Sequence, residues 1–364
     1  MEVTLSSTLQ TFRALDRHLA SLGPEIIMRL TAIDRMAGRH EAAPMAPAPR
    51  MDALHRASTV QSVCASNAIE DIHVSADRVE AMFKAETQPC TRDEREVAGY
   101  LDVLNLLHAE AHSIPFDPSH IEQLHGYLAR YTSDRTAGRW KMLDNRIDEI
   151  RPDGSSVVRF IPVSAQRTPA AMAELHDRFT DAAAAGGHHW LMLVGTYVLD
   201  FLAVHPFRDG NGRMSRLITT WLLYQGRYDV VRYVSLERLI DQSRVSYYRA
   251  LAASTVGWHE GEQDLRPWLG YFLGIVEDAY LELDRSTEGL GQKGGKQMVV
   301  RKFVAEHRGD WFTIAEVRSA IPGISDQTIK RALADLKAEG SIALEGRGRG
   351  AKWRRVSRPG ERAP

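Results

Sequence analysis

Only two cysteines, Cys64 and Cys90, occur in 364 residues, and neither belongs to a Cys-x-x-Cys pair. At most one disulfide can form, which excludes a disulfide scaffold, argues against structural zinc, and makes a reducing cytoplasm the expected setting. Long apolar runs are equally scarce. The longest, Trp190 to Val204, is interrupted by Asp200 and falls short of the roughly 20 residues that span a bilayer, so no membrane partner is expected. The first ten residues, MEVTLSSTLQ, contain no basic stretch followed by an apolar one, and nothing there reads as an export signal. No internal repeat is visible, and the chain lacks both a Walker Gly-x-x-x-x-Gly-Lys-Ser/Thr loop and a kinase-type glycine loop.

What is present is ordinary globular composition. Hydrophobic residues make up 44% and charged residues 26%, which excludes a disordered or fibrous chain. At about 150 residues per domain, the length suggests two or three domains. A net charge of −1 hides an asymmetry. Residues 296–364 hold 15 Lys+Arg against 8 Asp+Glu, a net of +7, while the rest of the chain carries −8. Seven of those basic residues fall in the last 20 positions, so a basic tail module is joined to an acidic body.

Apolar spacing of helical period runs through Leu9–Leu30, about 51–70, Asp93–Ala111, Ser119–Tyr131, Pro169–Ala184 and Trp190–Val204. It resumes at Asn211–Tyr224, Ser243–Ser254 and Pro267–Asp284. Three prolines in Ala42–Pro49 mark a linker or long turn. One β signal interrupts the helices: Ile147–Ile150 and Val157–Ile161 flank a Pro-Asp-Gly turn, which reads as an isolated hairpin. The Gly-rich polar stretch 286–296 is a domain boundary. These boundaries give an N-terminal helical segment and linker (1–50), a helical domain (51–285) and a C-terminal module (297–364).

Residues 205–216 read His-Pro-Phe-Arg-Asp-Gly-Asn-Gly-Arg-Met-Ser-Arg. An apolar helix ending at Val204 delivers His205, and Pro206 prevents simple continuation. The Asp209-Gly210-Asn211-Gly212 run tolerates unusual backbone angles, so successive N–H groups can form an anion-binding concavity at the start of the next helix. Arg213 and Arg216, three apart, are expected to share a face and reach phosphate oxygens. Asp209 is a hard oxygen ligand suited to magnesium (or manganese) on phosphates. His205, with an ordinary pKa of about 6.5, is the general base.

The segment resembles the Fic family signature, HxFx(D/E)GNGRxxR, at every fixed position, and the resemblance extends over about 51–285. Gly138-Arg139-Trp140 with the hairpin looks like the stretch leading into the family's flap (about 144–162), and Tyr247-Tyr248 and Arg266-Pro267-Trp268 look like its closing helices. The fold implied is mostly α, a Fic-type helical core with a β-hairpin flap. The activity implied is transfer of AMP from ATP to a Ser, Thr or Tyr hydroxyl of a target protein docked on the flap, with pyrophosphate released. By position, His205 is the base and Asp209 the metal ligand. Gly210, Asn211 and Gly212 line the anion hole, and Arg213 and Arg216 hold the outer phosphates. Tyr247, Tyr248 and Thr255 border the nucleotide, with Thr255 standing where many relatives have an adenine-reading asparagine. Glycine at 212, where the kinase-like Doc branch has lysine, favours nucleotidyl transfer. ATP is the preferred donor, with other nucleotides left open.

Ser66-Asn-Ala-Ile-Glu70, near the end of a helix, resembles the family's inhibitory motif (S/T)xxxE(G/N), in an inhibitory helix of about 62–71. The resemblance implies that Glu70 pairs with Arg216, with Ser66 on the same face; in some relatives the same carboxylate also supports removal of AMP. Asp71 follows where glycine or asparagine is usual. Homodimerisation is an expectation by analogy alone.

Residues 297–356 read as helix, short strand, helix, turn, helix and hairpin, a pattern that looks like a small α+β winged helix-turn-helix. Gln327, Thr328, Lys330 and Arg331 would face outward from its recognition helix, with Arg347 and Arg349 on the wing. Its partner is DNA or another protein. The competing reading of the whole chain is therefore a DNA-binding regulator that uses the Fic-like domain as a nucleotide sensor or interface. The intact His205 favours the enzyme, because a sensor needs phosphate contacts but no base.

Overall fold

The computed structural model describes residues 10–20, 22–42, 48–150, 156–287, 295–307, 311–321, 324–346 and 352–355. The chain divides into two units, residues 1–39 with 58–280 and residues 40–57 with 281–364. It is mostly helical, with two short hairpins.

In the first unit the N-terminal stretch is not one helix. Short helices α1 (Gln10–Arg13) and α2 (Leu15–Ala20) precede α3 (Pro24–Ala42), which starts at a proline whose fixed φ and missing N–H suit a helix start. Helix α4 (Ala48–Ala68) begins earlier than the apolar pattern suggests, with Pro49 in its first turn. Two short helices escaped the periodicity because each has only about two turns: α5 (Ala76–Phe83), capped by Ser75, and α11 (Leu236–Gln242), capped by Ser235. Between them lie α6 (Arg92–Glu110), opened by a Thr91/Glu94 capping box, and α7 (Pro118–Leu128), capped by Asp117. There follow α8 (Thr168–Ala185), α9 (Trp190–Val204) and α10 (Asn211–Gln225). Helices α12 (Arg244–Thr255) and α13 (Arg266–Thr287) close the series.

The core sits around α9, whose residues are almost all buried, packed on α8 and α10, while α6 packs on α7 and α10. A helix apolar on every side must be central, and α9 is the one such helix the sequence offered. The hairpin pairs β1 (Ile147–Ile150) antiparallel with β2 (Ser156–Phe160). Phe160 stacks on His259 at 5.3 Å, and His259 Nε2 donates to Ile161 O at 2.8 Å, which ties the second strand to the loop between α12 and α13. The Pro-Asp-Gly turn itself lies outside the described residues.

The second unit contains α14 (Gly295–Glu306), α15 (Ile314–Ala320) and α16 (Asp326–Ala338), then a hairpin of β3 (Ile342–Glu345) and β4 (Lys352–Arg355). Phe312 bridges to Trp353, so three extended segments lie side by side. Val300, Phe312, Val317, Ile329 and Leu333 form its own core. Gln327, Lys330 and Arg331 are exposed on α16, Thr328 is half-buried, and Arg347 and Arg349 lie outside the described residues. Among the described residues no helix is long and apolar enough to cross a membrane.

Candidate active site

Helix α9 ends at His205, which adopts a left-handed conformation (φ 51°) while its N–H still reaches Phe201 O at 2.9 Å. Its Nδ1 lies 3.2 Å from Leu202 O. A carbonyl only accepts, so Nδ1 carries the proton and Nε2 keeps a free lone pair. Burial pushes the imidazole pKa down to about 4, so the ring is neutral at physiological pH and ready to accept a proton.

The turn after it is braced from two sides. Asn211 Oδ1 accepts from Phe207 N–H at 2.9 Å and its Nδ2 donates to Phe207 O at 2.8 Å, closing the loop on itself. Asn145 Nδ2 donates to the carbonyls of His205 and Phe207, and Lys141 Nζ donates to Asn145 Oδ1 and Val204 O. Burial lowers the Lys141 pKa to about 8. On the other side His125 stacks on Phe207 at 3.8 Å. Its Nδ1 accepts from Gly138 N–H, so its Nε2 donates to Asp209 O at 3.1 Å. Sequence reasoning missed Lys141, Asn145 and His125. Their partners are backbone groups mostly far away along the chain, and no local pattern announces them.

Gly210 takes φ 77° at the start of α10, and no side chain caps that helix. Its first N–H groups are therefore available to an anion. A cavity of about 900 Å³ opens over this turn, lined among others by Glu70, His205, Asp209, Gly212, Arg216 and Tyr247. Tyr248 and Thr255 also border it, although the Thr255 hydroxyl is turned on its own helix, 3.0 Å from Leu251 O and 3.2 Å from Ala252 O. Arg159, Arg244 and Arg249 line it too, cations that the sequence reading did not single out.

The two motif arginines part company. Arg216 is buried in this cavity's wall: Nη2 meets Glu70 Oε1 at 2.8 Å and Ser66 O at 2.8 Å, and Nε donates to Ser66 Oγ at 2.7 Å. Arg213 does not line the His205 cavity. Its guanidinium pairs with Glu96 at 2.9 Å and faces a second cavity. Glu70 itself crowds the turn. A Cβ at Gly212 would lie 2.2 Å from Glu70 Oε1, so the carboxylate stands where bound phosphates would approach.

Asp209 is exposed, with Oδ1 accepting Gly210 N–H at 2.7 Å and Oδ2 3.7 Å from Arg213. Among the described residues no three His, Cys, Asp or Glu side chains cluster as a resident metal site. One exposed carboxylate beside an uncapped helix start could hold a cation only together with oxygens from a bound phosphate.

Residues 115–223 match the sequence model of the Fic/DOC family. The protein carries a Fic-family domain. The matched span runs from just before α7 through most of α10, and so takes in the hairpin and the His205 turn of the Fic domain but neither Glu70 nor α12. Two curated relatives, protein adenylyltransferase fic-1 of Caenorhabditis briggsae and of Caenorhabditis elegans, are 28% identical over 194 residues and 27% over 192. These alignments cover 50% of this chain and 32% of each relative, so the chain spans about a third of the length of the curated relatives it matches. A solved Fic family protein from Desulfovibrio desulfuricans G20 superposes with a TM-score of 0.58 at 22% identity, covering 94% of this chain and 98% of that one. Fic-1 from Caenorhabditis elegans superposes with a TM-score of 0.58 at 20% identity, covering 74% of each chain. At such identities these superpositions establish the Fic fold.

Proposed function

We propose that this protein is a Fic-type adenylyltransferase that moves AMP from ATP to a hydroxyl of a target protein, and that Glu70 holds it in check. What carries the reading is a neutral histidine and an uncapped helix N-terminus facing one cavity of about 900 Å³. In the transfer, the target hydroxyl oxygen bonds to the α-phosphorus, its proton passes to His205 Nε2, and the bond to the β-phosphate breaks to release pyrophosphate. The N–H groups at the start of α10 stabilise charge on the α-phosphate. Asp209 would hold a magnesium or manganese ion, which would neutralise phosphate charge. The fic-1 relatives' names support the choice of AMP and hence of ATP.

Autoinhibition rests on competition for one guanidinium. Both N–H groups of Arg216 Nη2 are taken, by Glu70 and by Ser66 O, so that the edge facing Glu70 cannot also serve an outer phosphate while this charge-assisted pair is made. The hairpin's outer strand edges offer N–H and C=O groups to an extended target segment.

The test is incorporation of label from α-labelled ATP with magnesium by wild type, Glu70→Gly and Glu70→Gly/His205→Ala. Weak labelling by wild type, at least about tenfold stronger labelling by Glu70→Gly, and none by the double variant is the expected result, since each full removal of such a charged contact is worth a factor of ten or more. Equal labelling by wild type and Glu70→Gly removes Glu70 from the mechanism. Undiminished labelling without His205 removes the base.

A further inference from the structure

A second cavity, of about 650 Å³, adjoins the first: Arg208, Asp209 and Gly210 line both. Its wall is built from α6, α7 and the loop 132–136, and five arginines line it against three carboxylates. Each carboxylate is already engaged. Glu96 is buried and shared by Arg92 and Arg213. Asp134 accepts from the N–H and hydroxyl of Thr136. Asp209 accepts from Gly210 N–H. The guanidiniums of Arg95, Arg135 and Arg208 make no side-chain hydrogen bond among the described residues, and although Arg208 favours the ionised form of Asp134, five arginines against three carboxylates leave a surplus of fork-shaped donors.

We infer that this cavity is a binding site for a di- or oligophosphate anion. Guanidinium forks bind phosphate oxygens in pairs, and several converging forks favour a ligand with several phosphates over a lone carboxylate. The buried floor is prepared for it: Arg213 has a side-chain exposure of 7% and is fixed by Glu96, and His125, stacked beneath the turn, holds Asp209 in place. The shared residues 208–210 put the cavity next to the place where pyrophosphate would be released; that identification of the occupant rests on the adenylyl transfer proposed above, whereas the phosphate chemistry does not. A released product and an oligophosphate from solution share this chemistry, and the measurements separate them.

The probe is inorganic pyrophosphate, titrated calorimetrically into the full chain whose nucleotide cavity is filled with a non-hydrolysable ATP analogue. The expected result is binding by wild type and about tenfold or greater weakening in Arg95→Ala/Arg135→Ala, since charged hydrogen bonds to phosphate are lost. The ATP analogue should bind both proteins alike. Both arginines are exposed and unpaired, so unfolding temperature should not move; Arg95→Gln/Arg135→Gln, which keeps the stems, should weaken pyrophosphate in the same direction. Equal pyrophosphate affinity in wild type and both variants overturns the site, as does failure of wild type to bind pyrophosphate once the analogue is in place. Product inhibition of labelling by pyrophosphate, relieved in the alanine variant, assigns the site to the released product. Tighter binding of tripolyphosphate, with no product inhibition, assigns it to an oligophosphate from solution. A chain that binds pyrophosphate here yet labels no protein keeps the site and loses the transferase reading instead.

Discussion

Asp200 is the one charged residue in the apolar helix α9, and its environment is lopsided. Oδ1 accepts from Thr11 Oγ1 at 2.6 Å and Trp258 Nε1 at 2.7 Å, while the buried Oδ2 has no partner. Burial raises its pKa to about 7. The fold therefore keeps a proton that the unfolded chain releases near pH 4, and the native state becomes less stable as pH rises from there through about 7. Asp200→Asn retains an oxygen for Thr11 and Trp258 and cannot ionise. Its stability advantage over wild type should widen by about 2 to 3 kcal/mol between pH 5 and pH 8, at roughly 1.4 kcal/mol per pH unit up to the folded pKa. Urea unfolding of both proteins at the two pH values measures this; a gap that stays constant means that burial does not raise the Asp200 pKa and the carboxylate is ionised in the fold. His205 is shifted the opposite way by the same cause, because burial disfavours whichever form carries charge.

Among the elements, the end of α4 shows how a departure from the usual motif is accommodated. The helix closes with Asp71 N–H on Ala68 O and Ile72 N–H on Asn67 O, a pattern that requires a left-handed residue between, and Asp71 takes φ 58°. Glycine or asparagine meets that demand at least strain, which is the physical sense of their usual presence there. Asp71 adds something glycine lacks: Arg244 reaches its carboxylate at 3.1 Å and also donates to Ile69 O. Arg244 thus clasps the turn that carries Glu70. The ion pair is exposed and worth at most about 1 kcal/mol, comparable to the strain that glycine relieves. Asp71→Gly should accordingly leave the unfolding temperature nearly unchanged yet raise labelling a few-fold, well short of Glu70→Gly. Labelling at the wild-type level, with Glu70→Gly elevated in the same assay, would show that Arg244 and Asp71 hold nothing.

At the scale of the whole molecule, an acidic body and a basic C-terminal region divide the charge. Helix α16 presents Gln327, Lys330 and Arg331 to solvent, and β4 adds exposed Lys352 and Arg354. We propose duplex DNA, rather than a protein, as the partner of that face. The expected outcome is binding whose log affinity falls linearly with log salt, and Lys330→Ala and Arg331→Ala should each lower the slope by about one. Fluorescence anisotropy of a labelled duplex at several salt concentrations decides it. Absence of salt-dependent binding leaves a protein partner as the function of this unit.

Where local chemistry sufficed, residue order alone was informative. The helix Trp190–Val204 ends where it does because a largely apolar run stops at a histidine followed by proline. The Ser66–Glu70 spacing put both side chains on one face, and both meet Arg216. The same logic of spacing failed for Arg213 and Arg216. Three residues along a helix leave about 60° between side chains, and each guanidinium turned to a different carboxylate, Glu96 or Glu70, contributed by a separate helix or turn. Lys141, Asn145 and His125 brace the His205 turn through carbonyls up to 84 positions away, and Asp200 and His205 owe their shifted pKa values to burial. Spacing along one helix is a property of the chain; which charge meets which, and how far water is excluded, arises only when the helices pack.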